Sequence, residues 1–143
     1  MIAVDTNILV HAHRRDSRWH EPARDVVSAL AEGREPWAIP WPCLHEFFAI
    51  ATHRKLYSPP STARQALDQL RAWRESPTLT LLAEDDGYWP VFEELVDETQ
   101  LSGPAIHDAR IAALCIRHGV RLLYSADRDF NRFPRLPTRN PLA

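Results

Sequence analysis

Short apolar runs that end in turn or capping residues and pass directly into helical periodicity constrain this chain more than any other feature. Ile2–Val4 runs into Asp5-Thr6-Asn7, which has the pattern of a helix start, and a helix follows to about His13. Glu21–Glu32 reads as a second helix, with Pro22 suited to its first turn and Gly33 to its stop. Trp37–Ile39 is the next short strand, and Trp41-Pro42 leads into a helix over about Pro42–His53. Ser58-Pro59-Pro60-Ser61 forms a turn before a helix over about Thr62–Arg74, and Thr78–Leu82 alternates as a strand. Asp86–Glu98 is an acidic helix with Val91, Leu95 and Val96 on its apolar stripe; Ser102-Gly103-Pro104 breaks it, and Ala105–His118 is helical up to Gly119. Val120–Tyr124 reads as a buried strand ending at Ser125-Ala126-Asp127, and the Pro- and Arg-rich tail as mostly irregular. Strands alternating with helices predict a three-layer α/β fold, a parallel sheet flanked by helices. With no repeat and no linker, residues 1–143 read as one domain.

Composition narrows the class. Hydrophobic residues at 45% and charged ones at 25% exclude a disordered tail. No apolar run approaches the roughly 20 residues that span a bilayer, and Met1-Ile2-Ala3-Val4-Asp5 lacks the basic start of a signal peptide. Cys43 and Cys115 make neither a disulfide framework nor a metal-ligand spacing. The expectation is a soluble cytoplasmic protein. The net charge of −2 advertises no basic groove, but it averages two opposite regions. Seven acids and no Lys or Arg lie between Glu84 and Glu98, whereas Arg110–Arg139 holds seven arginines against Asp127 and Asp129. Lys55 is the sole lysine, so the positive charge is almost all guanidinium, a planar fork for phosphate.

Four carboxylates stand where the pattern favours apolar side chains. Asp5 ends a buried-looking strand, and Asp127 lies just past Leu122-Leu123-Tyr124. Glu46 shares helical spacing with Cys43, Ala49 and Ile50, the side expected to face the core; Asp108 shares a face with Ile111, Ala112 and Cys115. In open parallel sheets, sites form beyond the carboxyl ends of strands, and all four acids belong at that edge. Clustered buried carboxylates either hold protons or hold a cation. Hard oxygen donors favour Mg²⁺ or Mn²⁺ over Zn²⁺, and such sites perform phosphoryl or phosphodiester chemistry. Each acid taken alone also has a plain structural reading: Asp5 as an N-cap, Glu46 as a surface acid, Asp108 as a first-turn acid favoured by the helix dipole, Asp127 and Asp129 as turn acids.

Val4-Asp5-Thr6-Asn7-Ile8-Leu9, then Glu46, then His107-Asp108-Ala109-Arg110-Ile111-Ala112-Ala113, and last Ser125-Ala126-Asp127-Arg128-Asp129-Phe130 with Arg132-Phe133-Pro134 resemble, in order and spacing, the PIN-domain nucleases, specifically the VapC toxins of type II toxin–antitoxin pairs. The resemblance implies a Mg²⁺- or Mn²⁺-dependent endoribonuclease. In it Asp5 and Asp108 are the principal metal ligands, and Glu46 and Asp127 complete the acidic pocket directly or through water. Asp129 supports the site from its edge, Thr6 and Asn7 orient Asp5, and Ser125 stands where the family often has Thr. It further implies a homodimer silenced by a cognate VapB antitoxin whose C-terminal segment covers the acidic groove. Two positions depart from the pattern: Pro104-Ala105 replaces Asn and an aliphatic residue, and Cys43 replaces a small hydroxyl residue, leaving a hydrogen bond near Glu46 in question.

The expected reaction is hydrolysis of an RNA phosphodiester, with Arg14, Arg15, Arg110 or Arg128 steering the strand. His107 is a candidate general base, although a structural histidine is the favoured reading, and His11-x-His13 reads as incidental. Trp37, Trp41, Phe47, Phe48, Trp73 and Trp89 offer apolar surface for the core and for partners. Rival readings are a different acid-cluster phosphoryl hydrolase and a PIN-like module that binds RNA or protein without cutting. A haloacid-dehalogenase-type phosphatase needs an Asp two residues after the first, where Asn7 stands, and a phospho-receiver needs a Lys after a late strand, far from Lys55.

Overall fold

A computed structural model describes residues 1–143. Five strands, β1 (Ile2–Val4), β2 (Trp37–Pro40), β3 (Leu79–Leu82), β4 (Leu122–Tyr124) and β5 (Thr138–Arg139), form one sheet in the order β3-β2-β1-β4-β5. All neighbours are parallel, with Ile2 opposite both Trp37 and Leu122, and Val4 opposite Tyr124. The helices are α1 (Thr6–His13), α2 (His20–Glu32), α3 (Trp41–Ala51), α4 (Ala63–Arg74), α5 (Tyr88–Thr99) and α6 (Ile106–Arg117). Short 3₁₀ turns cover Gly103–Ala105 and Arg128–Arg132.

The strand order reverses at β1. Successive crossovers carry the chain from β1 to β2 to β3 in one direction, and the α5–α6 crossover then returns it to β4 on the other side of β1. Parallel crossovers are right-handed, so opposite directions of travel place α1–α4 and α5–α6 on opposite faces. Packing agrees: α1 lies against α2 and α3, α3 against α4, and α5 against α6. The sheet is thus covered on both sides, and its central strands are wholly apolar, as such burial demands: Ala3, Val4, Trp37, Ala38, Ile39 and Leu123 are fully buried.

The expected elements form, with local shifts that have physical causes. The acidic helix begins at Tyr88 because Asp85 folds the chain into a turn, its Oδ1 accepting from the Gly87 N–H at 3.1 Å. The α6 helix starts at Ile106 because Gly103-Pro104-Ala105 is spent on the 3₁₀ turn. The tail is less irregular than its composition suggests. Arg128–Arg132 is helical, pinned by Phe130 and Phe133, each 1% exposed, and Thr138-Arg139 adds a parallel edge strand beside Leu123-Tyr124. Of the aromatics expected at the core or at partner surfaces, Trp37, Trp73 and Phe47 are buried and Phe48 is half-buried, whereas Trp41 and Trp89 are exposed. No helix is long and apolar enough to cross a membrane.

Candidate active site

The switch between β1 and β4 opens a crevice at the carboxyl ends of two adjacent strands, the position where open α/β sheets hold their ligands. Asp5 follows β1 directly, and its N–H continues the ladder to the Tyr124 carbonyl at 2.9 Å. That bond sets Asp5 beside Ser125, the first residue past β4. Although Asp5 occupies the N-cap position of α1, its side chain makes no cap hydrogen bond. It is 5% exposed and turned into the crevice.

A polar network fixes it there. Asp5 Oδ2 accepts from Ser125 Oγ at 2.8 Å and from Asn7 Nδ2 at 3.3 Å, and Oδ1 accepts from the Cys43 thiol at 3.6 Å. Ser125 Oγ in turn accepts from the Asp127 N–H at 3.0 Å and from Asn7 Nδ2 at 3.4 Å. One donated and two accepted bonds use the full capacity of that hydroxyl. Asn7 Oδ1 accepts from the Ala126 N–H at 3.1 Å, so the first turn of α1 is tied to the loop after β4. Asp127 then starts the 3₁₀ turn by accepting from the Asp129 N–H at 2.8 Å.

Asp108 enters from the first turn of α6, half-buried above the apolar face formed by Ile111, Ala112 and Cys115. Carboxylate oxygens of Asp108, Asp127 and Asp129 lie within 4.8 Å of one another. Asp129, expected at the edge of the site, therefore reaches into the group. Glu46 behaves differently from its expected core orientation. The buried stripe of α3 is Cys43, Leu44, Phe47 and Ala51, and Glu46 falls beside that stripe as an exposed residue. Its carboxyl end is still partly desolvated where it faces the charges of Asp5 and Asp108.

These acids disturb one another. Burial pushes the Asp5 carboxyl above its usual range, against the pull of the Ser125 and Cys43 hydrogen bonds, and the Asp127 charge adds to the rise. Asp108 is raised by burial first and then by Asp127 and Asp5. Glu46 is raised by burial, Asp5 and Asp108, with His107 opposing. The common cause is negative charge that solvent does not relieve, and it makes the crevice receptive to a cation. The buried Thr6 Oγ1 next to Asp5 has no partner at full hydrogen-bonding geometry, but it lies close enough to Cys43 and Glu46 to favour their charged forms. The donors are all oxygens. Burial and the Asp5 charge hold Cys43 well above the usual thiol range, so it serves as a neutral donor and not as a thiolate ligand. A hard divalent cation fits this set.

Other expected residues lie elsewhere. Cys43 bonds Asp5, not Glu46. Arg14 grips Asp16 at 2.6 Å, donates to Ser61 and Pro59, and lies over the Tyr57 ring, while Arg110 is held by Glu84 at 2.6 Å. Arg15 and Arg128, the other two arginines expected to steer the strand, form no ion pair. His107 is exposed and lines a groove between α5 and α6 with Tyr88, Trp89 and Phe92. His11 and His13 are structural, bonded to Ser17 at 2.7 Å and to Ser61 at 2.8 Å. Sequence reasoning assigned no role to Arg132, whose Nη2 stands 3.4 Å from Asp129 Oδ1. Its spacing of three from Asp129 was the only available signal, and that became meaningful once the segment proved helical.

Comparison with known proteins agrees with this arrangement. The PIN domain model matches residues 2–136. The VapC43 ribonuclease of Mycobacterium tuberculosis is 34% identical over 142 residues, covering 99% of this chain and 96% of that protein. The VapC48 ribonuclease of the same species is 29% identical over 139 residues, covering 97% and 96%. Among solved structures, the VapBC2 complex of Rickettsia felis bound to a promoter DNA fragment superposes with a TM-score of 0.70 at 20% identity, covering 97% of this chain and 98% of the matched one. The sarcin–ricin-loop-cleaving toxin VapC20 of Mycobacterium tuberculosis superposes with a TM-score of 0.63 at 20% identity, covering 92% and 93%. Sheet order, acidic crevice and near full-length match converge, and the chain belongs to the PIN domain family.

Proposed function

We propose that this chain is a VapC-type toxin, a metal-dependent endoribonuclease that hydrolyses RNA phosphodiester bonds and is silenced by a VapB-type antitoxin. The observation that carries the reading is the convergence of Asp5, Asp108, Asp127 and Asp129 at the switch point of a parallel sheet. The relatives that match along nearly their whole length are named ribonucleases.

In this reading Asp5 and Asp108 hold the metal, Mg²⁺ or Mn²⁺. Glu46 and Asp127 complete the pocket directly or through water. A bound divalent cation supplies charge neutralisation at the scissile phosphate and an acidified water. The chain's own work is orientation. Ser125, Asn7 and Cys43 fix both oxygens of Asp5, so the carboxylate needs no reorganisation when substrate arrives. Asp127 holds the Asp129 N–H and so sets the turn that carries the edge of the pocket. Thr6, next to Asp5, places its buried hydroxyl near Cys43 and Glu46. The carboxylates repel polyanions, so the pocket accepts RNA only when loaded. The whole of 1–143 acts as one domain in the cytoplasm, where its RNA substrate is found. Exposed Trp41 and Trp89 are suited to a homodimer or antitoxin contact.

The test is cleavage of a mixed-sequence RNA pool with Mg²⁺ or Mn²⁺, by wild type and by Asp5→Asn. Cutting that needs metal and Asp5 is the expected result. RNA binding without cutting in either metal would favour a binding module, and cutting that persists in excess EDTA would remove the metal from the mechanism.

A further inference from the structure

An RNA strand must approach a pocket built of carboxylates, and two arginines, Arg128 and Arg132, lie on the turn that carries Asp129; Arg128 forms no ion pair, and Arg132 pairs with Asp129 itself. Arg14 pairs with Asp16, Arg110 with Glu84, Arg117 with Asp85, and Arg135 with Glu94 and Glu98, all acids outside the crevice. Arg132 differs in its partner. Its Nη2 lies 3.4 Å from Asp129 Oδ1, and Asp129 shares a 4.8 Å neighbourhood with the oxygens of Asp108 and Asp127. No other salt bridge of the molecule involves an acid of the crevice.

The mount of this side chain is rigid while its head is free to exchange partners. Arg132 ends a 3₁₀ turn whose Phe130 is buried, and the next residue, Phe133, is buried as well. The Phe133 N–H bonds the Phe130 carbonyl at 3.1 Å and the Leu136 N–H bonds the Phe133 carbonyl at 3.0 Å, so the backbone under Arg132 is closed on both sides. The side chain is about a third exposed (33%), its one ion-pair contact is through Nη2 to a carboxylate that is 60% exposed, and its charge also reaches Asp108. Such half-solvated pairs are weak. A phosphate diester offers the planar fork two oxygens and a full charge, so it can replace the single Nη2–Oδ1 contact with a bidentate one.

We propose that Arg132 is a substrate-binding residue of the crevice: it leaves Asp129 and takes an oxygen of the RNA phosphate that enters beside Asp108, Asp127 and Asp129. The inference rests on the nuclease reading and adds to it the group that receives substrate charge at the pocket's edge. Removing the guanidinium should therefore weaken RNA and spare the metal, because the lost cation repelled a bound divalent ion and its one ion pair is with Asp129 at the pocket's edge, not with Asp5 or Asp108.

Three variants test this: Arg132→Gln, Arg132→Lys, and Arg121→Gln as a charge-matched control. Arg121 lies just before β4, at the amino end of the sheet, and pairs loosely with Glu35 at 3.8 Å. Each variant is checked for folding by its thermal melt. Mn²⁺ affinity is read from the free-ion electron paramagnetic resonance signal, and cleavage of a fluorogenic mixed-sequence RNA is followed across RNA concentration. Arg132→Gln should raise KM about tenfold to a hundredfold, the loss of one charge-assisted bond, with Mn²⁺ affinity equal to wild type or tighter. Arg132→Lys should recover part of the loss, since it keeps the charge without the fork, and Arg121→Gln should match wild type. An unchanged KM in Arg132→Gln, or weakened Mn²⁺ binding with unchanged KM, would show that Arg132 merely props Asp129 and would overturn the proposal. An active wild type with indifferent Arg132 variants sinks this inference alone, whereas an inactive wild type sinks it together with the nuclease reading.

Discussion

Asp5 carries the sharpest conflict between stability and chemistry. A carboxylate 5% exposed, with Asp127 adding like charge, is an energetic liability until a cation neutralises it. Asn at this position keeps an oxygen for Ser125 and Asn7 while removing the charge. Asp5→Asn should therefore stabilise the metal-free protein by about 1–2 kcal/mol, or about 3–8 °C in Tm, while cleavage is lost; a melt in EDTA that moves downward would contradict this account. His13 shows the opposite sign in pH. Burial lowers its pKa, as do the charges of Arg14 and His20, with Gln69 opposing, and Ser61 and the Phe47 ring close the site around it. The unfolded chain then binds a proton that the folded chain refuses. The stability tied to neutral His13 is complete above the unfolded value near 6.5 and falls as pH drops toward the lower folded value. Urea unfolding in EDTA at pH 7.5 and 5.5 should show wild type losing more stability than His13→Gln, and parallel losses would refute the assignment.

Two elements of similar modesty differ in what they hold. The α4 helix is started by a full capping box, Thr62 Oγ1 accepting from the Gln65 N–H at 3.1 Å and Gln65 Oε1 from the Thr62 N–H at 2.9 Å. Thr62→Ala should cost about 1 kcal/mol and leave cleavage untouched. The Arg128–Arg132 turn is shorter but hangs Asp129 and Arg132 from buried Phe130. Phe130→Ala should cost about 3 kcal/mol or more and abolish cleavage at temperatures where the protein remains folded. Denaturant midpoints measured beside RNA cleavage separate the two, and equal effects on activity would break the distinction. The same two regions show what the sequence could and could not display. Ser-Pro-Pro-Ser before an amphipathic run announces α4, and Asp5 and Asp127 are legible because apolar strands stop at them. Glu46 was misplaced because one helical step separates the buried stripe from its edge, and periodicity does not resolve that step. The two-residue β5 was hidden because a parallel edge strand needs no alternation and follows Pro137. Arg132 was hidden because its partner is set by a tertiary turn.

For the molecule as a whole, net charge proved a poor guide, since −2 sums an acidic crevice with arginines largely paired at the surface. The distribution predicts a linkage. Any cation held by the folded crevice and absent from the unfolded chain stabilises by mass action, about 2.7 kcal/mol at a hundred times its Kd. Mg²⁺ or Mn²⁺ should raise the wild-type Tm by several degrees and EDTA should reverse it, while Asp5→Asn should respond weakly or not at all. A wild-type melt indifferent to both metals would show that the crevice does not bind them.

The bond from Ser125 to Asp5 joins residues 120 positions apart. Asp5 is made 120 residues before that hydroxyl partner, and Asp127 and Asp129 follow Ser125 in turn. Translation therefore cannot assemble the crevice until the whole stretch between them has been made. Until then a nascent chain carries an incomplete crevice. For an enzyme that cuts RNA, the order of its own residues acts as a delay.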